Sequence, residues 1–160
     1  MDEILDQLRT TFSTDLTGRG ITTFFKGKQE IVAEADMPIL MVYPIGTRNI
    51  HTGTVRDSVE YDIGVEITVS LKQFFDSLTG QGTQLDALTN LIQTVEQRES
   101  DGDLQTNTVM GILNANLTIG SRVLYNDNME IAYDPYFDAA DFPAARATVT
   151  FTAFDRPNRK

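Results

Sequence analysis

The chain predicts an α+β fold: a mixed, mostly antiparallel β-sheet with two main helices packed on one face as a two-layer sandwich. Three observations carry this. Apolar residues recur at helical spacing in two separate segments, near the N-terminus and after Gly82. Residues 59–71 alternate apolar and polar without interruption, the period of a half-buried strand, and residues 145–154 repeat that pattern near the C-terminus. No strand-glycine-helix phosphate loop is present, and two helices are too few for a doubly wound parallel sheet.

The first helix follows from Ile4, Leu8, Phe12 and Leu16 at successive i+4 positions with Leu5 beside them, and from Asp2, Glu3 and Asp6 at its positive end. Gly18 and Gly20 stop it, and residues 21–25 are β-branched and aromatic enough for a short strand. A turn at Lys26, Gly27 and Lys28 leads through an irregular stretch to Pro38. The apolar run 39–43, bounded by Pro38 and Pro44, reads as a short strand buried on both faces. Residues 45–58 mix glycine, threonine and charge without a period and read as a connecting loop or a wide hairpin bend, of a length suited to mobility or binding. The alternating run 59–71 then extends roughly 45 Å at about 3.3 Å per residue, so part of it is expected to be left over for a neighbouring molecule.

Leu85, Leu88, Leu91, Ile92 and Val95 set the second helix, over 83–98, with Thr83 as its N-cap. A loop over 100–108 precedes a helical turn that sends Val109, Ile112 and Leu113 inward. Leu117 to Val123 and Met129 to Tyr133 alternate around a turn at 125–128 and predict a hairpin. An acidic loop follows from Asp134 to Pro143. The last strand places Ala147, Val149, Phe151 and Ala153 on one face. Residues 1–155 thus read as one domain, and 156–160, with Arg156, Arg159 and Lys160, as a flexible basic tail. No internal repeat is visible.

Charge and composition narrow the function. Thirteen basic against 23 acidic residues leave a net charge of -10, a sign that repels polyanions and argues against tight nucleic-acid binding. The chain has no cysteine, which excludes disulfides, thiolate catalysis and cysteine-held metals. No apolar run approaches the about 20 residues that span a bilayer, and the acidic start has no leader character, so folding in the cytosol without membrane contact is expected.

Few groups could carry chemistry. His51 is the single histidine, and although Ser58 and Asp57 lie nearby, no nucleophile elbow surrounds them, so a solvated loop histidine is expected. Asp127, Glu130, Asp134, Asp138 and Asp141 accumulate without a base, but their spacing does not match a calcium loop. A glycosidase would need aromatic platforms, and tryptophan is absent. No catalytic group, metal or cofactor is expected; a small ligand-binding or enzymatic domain using the 127–141 loop is the reading of a different class.

Glu60, Asp62, Glu66 and Lys72 share the polar face of the long strand. That face is either water-covered sheet or, in a ring with the face inward, a negative channel that lets a polyanion pass without sticking. Arg19, Lys26, Lys28, Arg48 and Arg56 gather positive charge in the first part of the chain, whereas residues 127–141 are purely acidic. This asymmetry suits complementary faces of successive protomers.

The order of these elements resembles the tail terminator, or tail completion, proteins of long-tailed bacteriophages. The resemblance covers nearly the whole chain: the helix 4–16, the apolar strand 39–43 after a proline-containing loop, the long alternating strand 59–71, the central helix 83–98, and the terminal segment ATVTFTAF. It implies a virion protein at the head-proximal end of the tail, assembled in the host cytoplasm. Six copies would form a ring that caps the tail tube and ends its polymerisation. One ring face would meet the tube protein and the other a neck or head-completion protein, with DNA passing through the lumen. No active site is implied. By matching elements, Glu60, Asp62 and Glu66 become candidates for ring or lumen contacts, and the loop carrying Arg48, His51 and Arg56 a candidate for tube or neck contact. A tail-tube or neck subunit would share the same features.

Overall fold

The computed structural model describes residues 1–30, 32–51, 57–71, 84–116, 118–119, 122–123, 127–139 and 141–155. Helix α1 is Asp2–Asp15, β1 Thr23–Lys26, β2 Ile39–His51, β3 Asp57–Ser70, α2 Gln84–Glu96 and α3 Val109–Ala115. Strands β4 (Thr118–Ile119), β5 (Arg122–Val123), β6 (Asp127–Ala139) and β7 (Phe142–Asp155) complete the chain. Five strands form one sheet in the order β1-β2-β3-β7-β6, with only the β1–β2 pair parallel. The fold is the mixed, mostly antiparallel α+β sandwich that the patterning predicts.

One sheet face meets the helices. The period-two pattern of β3 turns Ile63, Val65, Ile67 and Val69 toward them, beside Leu40 and Val42 of β2 and Ala147, Val149, Phe151 and Ala153 of β7. The predicted stripe of α1 covers this layer: Ile4, Leu5, Leu8, Phe12 and Leu16 are all buried. Helix α2 adds Ala87, Leu91 and Val95, and α3 adds Val109, Ile112 and Leu113. Ile92, placed by its spacing on the buried stripe, is instead 45% exposed, because Ala87 and Thr94 complete the packed side of α2. The side chain of Leu85 and the Thr83 cap lie outside the described residues.

Arg19 locks α1 to the segment between α2 and α3. Its guanidinium donates to Gln97 Oε1 at 2.6 Å, to Gln105 Oε1 and Asn107 Oδ1 at 2.7 Å, and to the Asn107 carbonyl at 3.0 Å. Arg19→Ala is expected to cost about 2 kcal/mol in urea unfolding, since several polar acceptors lose a shared donor. Arg19→Lys should recover little of it, because an ammonium cannot reproduce the planar fork.

Among the described residues, the second sheet face is covered at one end. The connection from β1 to β2 crosses it, and Val32 and Met37 pack there with Ile39, Met41, Tyr43, Phe142 and Ala144. This explains why the run 39–43 is apolar on both faces.

Four expectations are corrected. Of the connecting loop or wide hairpin bend expected over 45–58, the hairpin is the better description, and the segment is largely strand: β2 runs on through Pro44 to His51 and pairs antiparallel with β3 from Asp57 onward. Ile45 forms a bulge between Pro44 and Gly46 that absorbs the irregular sequence. The acidic loop expected from Asp134 is part of β6, bulged between Asp134 and Phe137 and paired with β7 as far as Ala139–Phe142. Among the described residues, the hairpin expected between 117–123 and 129–133 is replaced by other pairings: β4 pairs with β5, and β6 with β7. Finally, β3 leaves almost none of its backbone over for a neighbour: β2 pairs it from Asp57 to Thr68, and β7 from Val59 to Ser70, so only two residues at each end have one side open. A strand of that length is used up because both its neighbours are equally long. The 125–126 turn and the tail 156–160 lie outside the described residues.

Candidate functional site

The polar residues of β3 and the distal half of β2 meet on the sheet face opposite the helices. Alternation along β3 puts Glu60, Asp62, Gly64 and Glu66 on that face, and the Ile45 bulge resets β2 so that Arg48 stands opposite Glu60 and Gly46 opposite Asp62. Without the extra residue, Arg48 would fall on the helix face. Its guanidinium lies 3.0 Å from Asp62 Oδ1 and 3.6 Å from Glu60 Oε2. Thr152 of β7, paired with Asp62 from the other side, donates to the same Asp62 oxygen at 2.9 Å. Glu60, Asp62, Arg48 and Thr152 therefore form one row across three strands, hydrogen-bonded through Asp62 and ion-paired between Arg48 and Glu60.

Glu66 departs from the water-facing reading. It is 4% exposed, accepts from Tyr43 Oη at 3.2 Å and from Thr68 Oγ1 at 3.5 Å, and pairs with Lys28 Nζ at 3.4 Å. The covering connection brings in Lys28, which also sits 5.0 Å from the Tyr43 ring centroid. A carboxylate so enclosed is tolerable because each side offers a donor or a cation. Beside it a cleft of about 370 Å³ runs between Lys28 and the β6–β7 edge, where Arg146 pairs with Asp134 at 3.1 Å. In this arrangement the acids work as acceptors that hold strands and the covering segment together.

Burial, and then the negative charge of Glu66, push the Tyr43 hydroxyl up to about 12. Absorbance titration is expected to show one tyrosine ionising near that value, above the ordinary 10. Because its folded value is raised, the contribution of Tyr43 to stability is complete below pH 10 and is lost as pH rises through about 12. Glu66→Gln should lower the Tyr43 value but leave it raised, since burial is the larger cause.

His51 ends β2 opposite Asp57, a strand terminus and not the loop expected for it. Arg56 and Lys72 lie outside the described residues. The 127–141 acids are spread along β6 and its turn: Asp134 pairs with Arg146, and Asp138 accepts from Tyr136. The loop on which the ligand-binding reading rested is thus a strand. Among the described residues no group of three or more histidine, aspartate or glutamate side chains could hold a metal ion. Sequence reading placed Lys28 only among the basic residues of the first part of the chain, and missed Tyr43, Arg146 and Thr152 as site residues. Only Tyr43 left a signal, as the one polar-tipped side chain in an otherwise aliphatic run.

Beyond Val42, β2 leaves the body of the fold. Strand β1 pairs with it only from Ile39 to Val42, and Pro44, Ile45, Thr47, Arg48 and Asn49 are exposed, Ile45 by 54%. The Val42 carbonyl accepts from the Gly27 N–H at 2.8 Å on the β1 side, so alternation turns Pro44 the same way. Its missing N–H therefore removes nothing from the β2–β3 ladder. No protein-family model and no curated protein matches the chain.

Proposed function

We propose that the chain is a structural virion protein that assembles into a ring, caps a phage tail tube, ends its polymerisation and provides the surface for joining the head. The observation that carries this reading is the distal half of β2, an exposed arm held rigid by β3 but left without a partner on its outer edge among the described residues. A monomeric domain that exposes a long strand edge risks uncontrolled association, so a dedicated partner for the arm is the economical explanation. The element order that carries the family resemblance, α1, β2, β3, α2 and β7, is the order found in the fold. The row of Glu60 and Asp62 would then border a lumen through which DNA moves without being held.

Electron microscopy of the purified protein with mass determination tests the reading. A closed ring of six 17.8 kDa chains is expected, and that ring should bind tube ends and stop their growth. Open cylinders of indefinite length would instead identify a tube subunit, and a ring that binds only head connectors a neck subunit. A chain that is monomeric even with tube present would sink all three.

A further inference from the structure

Resting on that ring reading, we infer that successive protomers join edge to edge, the distal β2 arm of one copy adding as a strand to the outer edge of β6 in the next. Strand β6 ends the five-stranded sheet on one side, and on the other the distal half of β2 is an edge because β1 reaches only as far as Val42. On the β2 side, the Ile45 bulge and strand alternation turn the backbone of Thr47 and Asn49 away from β3, leaving hydrogen-bonding groups that a new strand would satisfy. On the β6 side the inner edge is taken by β7, no described strand lies beyond it, and Glu130, Ala132, Pro135, Tyr136 and Asp138 are exposed.

Charge selects the pairing. Strand β2 carries Arg48 and no acid, whereas β6 carries Asp127, Glu130, Asp134 and Asp138 and no lysine or arginine. Two β6 edges brought together would oppose acid to acid, which disfavours a two-fold dimer through that strand. Unlike edges attract, and a head-to-tail contact of unlike surfaces generates a ring when its rotation closes. The occupant of each edge is therefore a second copy of this chain.

The absence of cysteine makes the test clean. In the full-length protein, Asn49→Cys together with Ala132→Cys, treated with a short bis-maleimide, should give a ladder of covalent multimers. Each single cysteine variant should stay uncoupled. Thr47→Pro removes an outward N–H without touching the β3 ladder. It should raise the concentration for half-assembly about tenfold, the worth of one lost hydrogen bond at an interface, with unfolding unchanged. Rings that form in electron microscopy while the double variant gives no ladder would overturn the edge pairing and leave the ring reading standing. A covalent dimer from either single variant would point to a like-with-like contact and also overturn it. No ring and no ladder at any concentration would overturn both.

Discussion

Gly111→Ala is expected to destabilise the protein by more than about 4 kcal/mol, enough to unfold a domain of ordinary stability. Helix propensity alone argues the reverse, since alanine is favoured over glycine inside a helix by about 1 kcal/mol. The site overrides it. A Cβ at Gly111 would overlap the Gln105 carbonyl oxygen and stand 2.9 Å from its carbon. That carbonyl cannot retreat: it accepts from the Thr108 N–H at 3.2 Å and from Thr108 Oγ1 at 2.7 Å, while Gln105 N–H donates to the Gln97 carbonyl at 2.9 Å. Thr108 is also the N-cap of α3, its hydroxyl accepting from Gly111 N–H at 3.0 Å. The methyl group would therefore strike the cap and the strut beneath it together. Gly18→Ala serves as the control, because a Cβ there meets nothing within 4 Å. Thermal and urea unfolding of the two variants should separate widely; a Gly111→Ala protein as stable as the parent would mean that the approach of α3 to Gln105 is looser than described.

The contrast between glycines illustrates what patterning can and cannot reveal. Helix α1, strands β3 and β7 and the buried residues of α3 were legible because each has one face in the core, and burial imposes a period on the sequence. The distal half of β2 and most of β6 were not. Distal β2, past the reach of β1, and β6 are exposed edges of the sheet along much of their length, so alternation marks β6 only over 129–133 and distal β2 not at all. They also carry the residues that protect edges from unwanted pairing: Pro44 and Gly46 in one, Pro135 and a row of acids in the other. The same residues are the ordinary signals for loops. An edge strand therefore reads as a loop for a physical reason, and the two segments expected to be irregular, 45–58 and 134–143, contain the edge-exposed parts of β2 and β6.

The candidate site was legible to the same partial degree. Alternation placed Glu60, Asp62 and Glu66 on one face correctly. It could not show that Lys28 and Tyr43 close over Glu66, since Lys28 arrives through a crossing connection with no period of its own. Nor could it bring Arg48 to Glu60 and Asp62, because that register depends on the single extra residue at Ile45.

Arg48→Glu is accordingly the substitution with the largest expected effect on assembly. Within one chain it removes two contacts of a side chain that is 61% exposed, and exposed pairs contribute about 1 kcal/mol or less, so unfolding should shift little. Between chains the change is greater: the cation of the arm becomes a third acid beside Glu60 and Asp62 and faces the acids of β6. Half-assembly should move to concentrations at least about tenfold higher, with partial rescue by salt because screening acts within about 8 Å at physiological ionic strength. Arg48→Gln, which deletes the charge without reversing it, should fall between. The pattern of loss also separates the roles open to the arm. Rings that no longer form place Arg48 at the contact between protomers. Rings that form but fail to stop tube growth place it on the face toward the tube, and rings that form and cap normally would remove the arm from both surfaces.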